Sequence, residues 1–477
     1  MACVFDTDIL VIGAGVVGCG VARVLSRWQG RVLVAERADD VAEGASKANS
    51  GLVHAGFDAR PGTEKARLNV LGARMYPALC AELSVPYRQS GALVVAFSEA
   101  ERATLEKLGR QGEENGVPGL RILEREELLA LEPALNPAAV CALLAPSAGI
   151  VSPYELVYAL ADQAALNGVC FGFGLEVTSL RREGEGWVAA TPRGDIVCRA
   201  VVNCAGTDSA FLHNQVSDRP LHITPRRGEY HVLDHPARPV FTHSVFQCPT
   251  AMGKGVLVTP TVHGNLLLGP TAEDIPDGRD VATTAAGLAR ALKAACLTWP
   301  GASTRTEVTN FAGIRAHEDG GDFVIGQAAP GCWEAVGIES PGLTAAPAIA
   351  EELGGQVARS LGLAPKTDWQ PLPPREKPFN EMTVEEQAEA VRRNPLHGQL
   401  ICRCEVVTEA EIRAAIRRPV GARSVDGVKR RCRAGMGRCQ GGFCAPRVVE
   451  ILAEELGVPM TEITKGSGDS RMLTGRI

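Results

Sequence analysis

The sequence predicts an α/β protein with more than one domain, and three observations lead to this prediction. The first 36 residues alternate strand-like and helix-like patterns around a glycine-rich turn. A proline-rich segment separates the last part of the chain from the rest, and that last part holds a cluster of cysteines. At 477 residues the chain is also too long for one ordinary core, so two or three domains are expected.

The first element is a strand followed by a tight turn and a helix. Residues 8–12 form a short apolar strand that leads into Gly13, Gly15 and Gly18, and small residues with helical spacing follow. A second strand at residues 31–35 leads to Glu36. The glycines let a pyrophosphate approach the helix N-terminus, and Glu36 can accept hydrogen bonds from a ribose. These features predict a Rossmann-like dinucleotide-binding domain.

Further elements follow in chain order. Charged helical patterns dominate residues 64–135, and residues 200–203 form another buried-looking strand. A hairpin is predicted from residues 255–259 and 265–268. Two more helices are predicted at residues 281–297 and 345–361. Five prolines within residues 364–378 indicate a linker.

Composition and charge limit the kinds of protein this can be. No run of about 18 uncharged apolar residues occurs, and residues 1–7 lack a basic stretch followed by an apolar one. We therefore expect a cytoplasmic protein with no transmembrane segment, with peripheral association at the inner face of the membrane left open. Residues 396–450 carry a net charge of +6 and the remainder −12. This marks a separate unit, whose basic face we interpret as an ordinary solvated surface with no nucleic-acid partner.

Three later segments extend the nucleotide-binding signal along the chain. They are residues 44–51, 201–206 and 337–344, each rich in glycine and small polar residues. A buried flavin requires such distant segments, although the later glycines alone would also fit simple turns. Together the blocks resemble the FAD-dependent D-amino-acid oxidase superfamily, and within it the glycerol-3-phosphate and L-2-hydroxyglutarate dehydrogenases, over about residues 6–360.

This resemblance implies a domain layout and a set of FAD contacts. FAD-binding parts are expected at about residues 1–85, 145–220 and 305–360, within a domain at 1–363. An inserted α+β substrate domain is expected at about 86–144 and 221–304. Besides the glycine turn and Glu36, the implied FAD-binding residues are Arg37, Ser46, Asn49, Ser50, Val177, Gly206, Gly313, Gly342, Leu343 and Thr344.

His54 is the candidate base for an alcohol oxidation. It lies in Ser50-Gly-Leu-Val-His-Ala-Gly56, and the families that this block resembles place this histidine over the flavin. Oxidation of a secondary alcohol requires removal of the hydroxyl proton as hydride leaves the carbon, and a near-neutral imidazole suits that role. Among nine histidines a random one would more often be a surface or core residue.

An anionic substrate requires fixed cations, and three candidates lie in family-like blocks. Arg315 and Lys254 are predicted to contact substrate, or flavin in the case of Arg315. Arg227 is an equally good candidate for a surface salt bridge, and Tyr230 for the core. A planar guanidinium can hold phosphate or carboxylate through two parallel hydrogen bonds, whereas lysine acts as a point charge.

The C-terminal cysteines form a metal-binding pattern. Ten of the fifteen cysteines lie in residues 1–401, and the last 76 residues hold the other five. Four of these occur as two separated pairs, Cys402 with Cys404 and Cys439 with Cys444. Four thiolates fit either zinc or an iron–sulfur cluster. The role of Cys432 is left open.

The residues around these cysteines resemble the bacterioferritin-associated ferredoxin-like [2Fe-2S] domain over about residues 398–450. The resemblance implies a cluster held by the four cysteines. We expect a linker at 364–395, a [2Fe-2S] domain at 396–455 and a tail at 456–477. Flavin accepts two electrons as hydride and can release them singly, whereas the cluster carries one at a time, so an external acceptor, quinone or redox protein, is implied.

The predicted activity is FAD-dependent oxidation of glycerol 3-phosphate, with His54 as base and the cluster as electron exit. L-2-hydroxyglutarate oxidation is the close alternative, because the same histidine motif serves both families. Imino-acid or amine oxidation would not require His54. A non-catalytic electron-transfer subunit that docks an acidic protein is the alternative from another class.

Overall fold

A parallel sheet near the start of the chain carries the glycine-rich turn. The computed structural model describes residues 5–249 and 255–475. The strands of this sheet are ordered Cys170–Phe173, Val32–Glu36, Ile9–Ile12, Ala200–Asn203, Cys332–Val336 and Val324–Ala329. Neighbours are parallel except for the last pair. The strand Ile9–Ile12 is buried along its whole length, as is typical of a strand covered on both faces.

Helices cover this sheet and surround the later parts of the fold. In chain order they are α1 (Val16–Leu25), α2 (Glu64–Leu83), α3 (Glu99–Glu114), α4 (Arg125–Leu131), α5 (Pro153–Leu166), α6 (Ser209–His213), α7 (Ala285–Thr298), α8 (Gly342–Ser360), α9 (Val384–Arg393), α10 (Glu409–Ile416), α11 (Val425–Cys432) and α12 (Ala445–Leu456). α1 packs against both α5 and α8. The contact with α8 is close, since a Cβ at Gly20 would lie 2.9 Å from that of Ala350.

A second, mostly antiparallel sheet lies beside the first. Its strands are ordered Glu273–Asp274, Ile223–Leu233, Leu266–Gly269, Leu257–Pro260, Ser244–Gln247, Ala92–Ala96, Cys141–Ala145 and Arg121–Glu124. The strand Glu307–Glu318 pairs with Ile223–Leu233 along nearly the whole of both. This long pair leads from the second sheet back to the dinucleotide-binding part.

Two smaller sheets complete this part of the chain. One has the strands Phe5–Asp6, Ile196–Cys198, Gly186–Ala190 and Ser179–Glu183. The other has the strands Leu52–Val53, Gly149–Val151 and Tyr87–Arg88. The second of these holds the segment directly before His54.

The C-terminal part has its own core. The short strands Leu400–Cys402 and Val407–Thr408 pair with each other, and α10, α11 and α12 pack around them. The core includes Val428, Val448, Ile451 and Leu452, each at most 3% exposed. In the described ranges, no helix is both long and apolar enough to cross a membrane.

The predicted α/β class and the Rossmann-like domain are confirmed, with shifts at element ends. The helix predicted from residue 281 begins at Ala285, because the Thr284 side chain accepts a hydrogen bond from Gly287 N and caps it there. The helix predicted from residue 345 begins at Gly342. The predicted hairpin pairs Leu257–Pro260 with Leu266–Gly269. The region at 64–135 also contains strands that its charged pattern concealed.

Candidate functional site

The glycine-rich turn is shaped by contacts that a side chain would prevent. Gly13 has φ of +96°, and a Cβ there would lie 2.6 Å from the carbonyl oxygen of Cys204. A Cβ at Gly18 would lie 1.9 Å from the Gly13 carbonyl oxygen, so α1 approaches the turn only because residue 18 has no side chain. The Val16 N–H donates to Ser46 Oγ at 2.9 Å. The start of α1 and the loop that carries Ser46 thus form one wall.

Glu36 braces the turn from the end of its strand. Its carboxylate accepts hydrogen bonds from Ala14 N at 2.7 Å and Ala38 N at 2.9 Å. Burial raises the pKa of Glu36, and the two hydrogen bonds oppose that rise. Arg37 pairs with Asp208, and both side chains line the same cavity as Glu36. The contact of Glu36 with a ribose stays a prediction.

The loop at residues 44–51 is held by its own hydrogen bonds and by a close neighbour. Asn49 donates from Nδ2 to the carbonyl oxygens of Ala45 and Ser46, both at 3.0 Å, and accepts from Gly51 N at 2.8 Å. A Cβ at Gly313 would lie 1.9 Å from the Ala48 carbonyl oxygen. Glycine at 313 therefore lets the strand Glu307–Glu318 approach this loop.

His54 is half-buried and faces the cavity. Its backbone N–H donates to Thr344 Oγ1 at 2.9 Å, and its carbonyl oxygen accepts from Asn69 Nδ2 at 3.2 Å. In the ring, Nε2 lies 3.3 Å from Ser340 Oγ, and the ring centroid lies 6.0 Å from that of Phe246. The backbone is thus fixed by α2 and α8 while the imidazole remains at the cavity.

Arg315 lies on the long strand pair at the cavity. It is opposite Arg226 in register, and both line the cavity. The Arg315 guanidinium donates to the Thr271 carbonyl oxygen at 3.4 Å, and Arg226 forms an ion pair with Asp274. Tyr230 also lines the cavity and stacks on Phe311 with centroids 4.7 Å apart.

Arg227 lies elsewhere, on the opposite face of the same strand. Its side chain is 8% exposed and forms ion pairs with Glu229, Glu273 and Asp280. Successive strand residues face opposite sides, so Arg226 and Tyr230 face the cavity and Arg227 does not. Arg227 is therefore a buried ion-pair residue, neither a cavity residue nor a surface salt bridge.

The glycine-rich turn, the loop at residues 44–51, His54 and Arg315 surround one cavity of about 1830 Å³. This volume exceeds the range of ordinary small-ligand pockets, about 300–1,000 Å³, and suits an extended dinucleotide with a small substrate. The predicted residues that line it are Gly13, Gly15, Glu36, Arg37, Ser46, Asn49, Ser50, His54, Val177, Gly206, Gly313, Arg315, Gly342 and Leu343.

Among the residues predicted to contact FAD or substrate, three are not among those that line this cavity. Gly18 packs against the turn behind it, and Thr344 is fully buried and holds the backbone of His54. Both act on the cavity through their neighbours. Lys254 lies outside the described residues, so its predicted role stays a prediction.

Sequence reasoning missed other cations at the cavity. Lys65, near the start of α2, lines it and forms an ion pair with Glu339 at 2.8 Å. Burial acts to raise the pKa of Glu339, but the pairing with Lys65 and His317 outweighs burial and lowers this pKa. Arg226 could have been found from the sequence. Side chains alternate between the two faces of a strand, so Arg226 faces the same side as Tyr230, four residues later. No local pattern marks Lys65.

The four predicted cysteine ligands lie together as two pairs. Cys404 Sγ and Cys439 Sγ are 3.7 Å apart, and the Cys402 and Cys444 side chains are hydrogen-bonded to each other. That hydrogen bond and the N–H of Gly435 lower the pKa of Cys402, although burial opposes the change. A Cβ at Gly437 would lie 2.3 Å from the Cys404 Cβ, so glycine is needed for this approach.

The two pairs fit the ligand requirement of a binuclear cluster, because a [2Fe-2S] cluster divides four thiolates between two irons. Within residues 5–249 and 255–475, no group of three or more His, Cys, Asp or Glu side chains is placed to hold a single metal ion. Cys432 is outside this set: burial raises its pKa to about 12, and its thiol donates to the Val428 carbonyl oxygen at 3.3 Å.

Comparison with known families defines the class of the protein. A family model for FAD dependent oxidoreductases matches residues 8–355, and one for the BFD-like [2Fe-2S] binding domain matches residues 400–454. The chain therefore belongs to the FAD-dependent oxidoreductase family and carries a C-terminal [2Fe-2S] domain. The two predicted cofactors, FAD and the [2Fe-2S] cluster, are confirmed.

Individual relatives narrow the class further. The chain is 45% identical over 473 residues to the glycerol 3-phosphate dehydrogenase of Caloramator mitchellensis, across 98% of both chains. It is 30% identical over 405 residues to the mitochondrial L-2-hydroxyglutarate dehydrogenase of Arabidopsis thaliana, covering 74% of this chain and 83% of that protein. A solved structure of dithionite-reduced L-α-glycerophosphate oxidase from Mycoplasma pneumoniae with FAD bound has a TM-score of 0.71 at 31% identity. The match covers 76% of this chain and 97% of that one.

Proposed function

We propose that this protein oxidises glycerol 3-phosphate to dihydroxyacetone phosphate and passes the electrons through its cluster to an external acceptor. The observation that carries the proposal is the 45% identity to a glycerol 3-phosphate dehydrogenase over 98% of both chains. This match includes the C-terminal part from residue 396 onwards that holds the four ligand cysteines, the cysteine domain. When bound, FAD supplies the hydride acceptor and the cluster a one-electron outlet.

His54 is the residue that we assign to the substrate proton. Its imidazole lies at the cavity, and hydrogen bonds to Thr344 and Asn69 fix its backbone on both sides. An imidazole held in this way can accept the hydroxyl proton as the carbon loses hydride. The reaction then removes one proton and one hydride from the substrate, which balances its oxidation to a ketone.

Arg315 is the residue that we assign to the substrate phosphate. Its guanidinium is half-buried at the cavity, where it contacts the Thr271 carbonyl oxygen at 3.4 Å and the Tyr230 side chain. Arg226, directly opposite, is neutralised by Asp274. Arg315 therefore contributes the positive charge of this strand pair, and a planar guanidinium can hold a phosphate through two hydrogen bonds.

The cysteine domain has one face at the cavity and another at the surface. Met436, shortly before Cys439, and Gln440, directly after it, line the cavity. Cys404 is exposed, and Phe443, next to the ligand Cys444, is 88% exposed. This placement supports an electron path from the cavity through the cluster to an acceptor, a quinone or a redox protein, at the exposed face.

Turnover of two alcohols with an artificial electron acceptor tests the proposal. Anaerobically purified protein should reduce the acceptor with glycerol 3-phosphate at a kcat/KM at least ten times that with L-2-hydroxyglutarate. The reverse preference would assign it to the second activity, which the relative from Arabidopsis thaliana represents. Turnover with neither alcohol would favour an amine substrate or an electron-transfer subunit.

A further inference from the structure

The cysteine domain is attached to the FAD-binding part by buried ion pairs. Arg431 of α11 donates to both carboxylate oxygens of Asp40 at 2.6 Å, and its side chain is 0% exposed. Its guanidinium also lies 4.0 Å from the ring centroid of Tyr158 in α5. Charge-assisted bidentate pairs of this kind fix both distance and orientation. The composition predicts a solvated basic face for this domain. The structure differs, because part of its positive charge is buried against the FAD-binding part.

Neighbouring contacts extend the same interface. Arg430 forms an ion pair with Glu43 and donates to Tyr158 Oη at 2.8 Å. Arg418 donates to Asp162 at 2.5 Å, and Asp162 also accepts from Val420 N at 2.8 Å. The carboxylates belong to the FAD-binding part and the arginines to the cysteine domain.

Two of the acidic partners, Asp40 and Glu43, lie on the segment that leads from Glu36 to the loop at residues 44–51, whereas Asp162 lies in α5. Within this segment Ala42 N donates to the Ala14 carbonyl oxygen in the glycine-rich turn at 2.9 Å. Glu43 also forms an ion pair with Lys47 inside the loop. The arginines of α11 therefore hold the segment that connects two walls of the cavity.

The cysteine domain itself supplies part of the cavity wall. Its lining residues are Asp426, Lys429, Arg430, Arg433, Met436, Gln440, Lys465 and Ser467. Most of the basic ones are already neutralised: Arg430 by Glu43, Arg433 by Glu405, and Lys465 by Asp426.

Lys429 differs from these neighbours. Its Nζ donates to Gln440 Oε1 at 3.1 Å, and among the residues of 5–249 and 255–475 no carboxylate lies within ion-pair distance of it. Burial lowers the pKa of Lys429, with Asp426 opposing the change at longer range. A desolvated ammonium at a cavity wall gains stability from an anion in that cavity.

We propose that the [2Fe-2S] domain is part of the FAD site, with Lys429 as the cation that it presents to the negatively charged pyrophosphate of the dinucleotide. The neighbouring Arg430 and Arg431 hold α11 against the segment after Glu36, so FAD binding and docking of the domain support each other. The inference rests on the confirmed FAD cofactor and holds whichever alcohol is oxidised.

Substitution of Lys429 tests the assignment through FAD affinity, without any substrate. The full-length protein with its cluster is deflavinated, and FAD is titrated back while flavin fluorescence is followed. Lys429→Met should raise the Kd for FAD at least tenfold, because a hydrogen-bonded charge is lost. Lys429→Arg should stay within about threefold of wild type.

Lys377→Met is the matched control, since Lys377 is exposed in the linker and pairs with Glu386 away from the cavity. Its Kd for FAD should be that of wild type. Iron and labile sulfide content, measured in each variant, should be unchanged. A wild-type Kd in Lys429→Met with intact cluster would overturn the role of Lys429.

Hydrogen exchange on the unmutated protein tests the docking. Addition of FAD to the deflavinated protein should slow amide exchange in peptides covering residues 425–440. Peptides from α9, which does not contribute to the cavity wall, should be unaffected. Equal exchange in residues 425–440 with and without FAD would overturn the proposal that this domain belongs to the FAD site.

Discussion

Two backbone hydrogen bonds hold His54 at the cavity. The N–H donates to Thr344 of α8 and the carbonyl oxygen accepts from Asn69 of α2, so two helices fix the peptide on either side of the ring. The side chain can therefore be removed without loss of those two hydrogen bonds. This separation makes its chemical role testable apart from its structural one.

His54→Ala should lower the rate of flavin reduction by glycerol 3-phosphate by about 10² to 10⁴, the usual effect of losing a positioned base. Reduction by dithionite should be unchanged, and FAD content should stay at wild type. His222→Ala is the control, because His222 is 75% exposed and pairs with Asp319. Rapid-mixing absorbance measures the rate. A wild-type rate per bound flavin in His54→Ala would exclude the base role.

Two arginines with different surroundings should respond differently to the same substitution. Arg315→Met should raise the KM for glycerol 3-phosphate about 10- to 100-fold with little change in thermal stability, because a charged hydrogen bond to substrate is lost. Arg227→Met should instead lower stability by about 3–5 kcal/mol, because it leaves the fully buried Glu229 without its charge partner.

Steady-state kinetics and thermal unfolding of both variants separate these outcomes. If Arg315→Met keeps a wild-type KM, Arg315 does not bind the phosphate. If Arg227→Met raises KM while stability holds, the buried ion-pair assignment is wrong.

At the level of elements, the sequence was most informative where one local pattern decides the structure. The strand at 8–12, the glycine turn and Glu36 were predictable because each has a distinct physical requirement. The choice between Arg226 and Arg227 required the phase of the strand Ile223–Leu233, which depends on which face the rest of the fold covers. The strands at Ala92–Ala96 and Arg121–Glu124 were concealed among charged helices, and neither forms a tight hairpin, because both pair with Cys141–Ala145 and the first also pairs with Ser244–Gln247.

The approach of α1 to the glycine turn gives a prediction at this scale. Gly18→Ala should reduce retained FAD, because its Cβ would lie 1.9 Å from the Gly13 carbonyl oxygen and α1 would have to move. Gly109→Ala in α3 is the control, since a Cβ there meets only Leu143 Cδ1, at the ordinary contact distance of 3.7 Å, and α3 does not line the cavity. The ratio of flavin to protein after dialysis measures the effect. Full retention in Gly18→Ala would show that the turn does not depend on this contact.

At the level of the whole molecule, Glu155 of α5 joins three parts of the chain. It accepts from His263 Nε2 at 2.6 Å, from Ser152 Oγ at 2.9 Å, and from Arg375 of the linker. Arg375 also donates to the Arg431 carbonyl oxygen at 3.2 Å in the cysteine domain. Although burial alone would raise it, the contacts with His263 and Arg375 hold the pKa of Glu155 at about 2.

This lowered pKa predicts a loss of stability in acid. The folded pKa lies below the ordinary value of 4.5, so the stabilisation is present above pH 4.5 and is lost as the pH falls towards 2. The stabilisation that Glu155 contributes through this lowered pKa is about 3 kcal/mol. Thermal unfolding of Glu155→Gln should show less stability than wild type at neutral pH and a flatter decline below pH 4.5. Parallel declines for both proteins would contradict this origin.

The position of the cysteine domain could not be predicted from the sequence. The charge asymmetry indicated a separate basic unit, but the acidic partners Asp40, Glu43 and Asp162 are more than 250 residues away from their arginines. No local pattern connects residues at such separations. The predicted domain boundaries and the individual ligand and substrate roles stay predictions for the experiments above.

The most direct test of the account follows both redox centres after one addition of substrate. Anaerobic protein is mixed with glycerol 3-phosphate, flavin absorbance is recorded, and samples are frozen for electron paramagnetic resonance. We predict loss of flavin absorbance followed by the signal of a reduced [2Fe-2S] cluster. In Cys439→Ser the flavin should still be reduced, without any cluster signal. Failure of glycerol 3-phosphate to reduce the flavin, or a reduced flavin with a cluster that stays oxidised, would contradict the account.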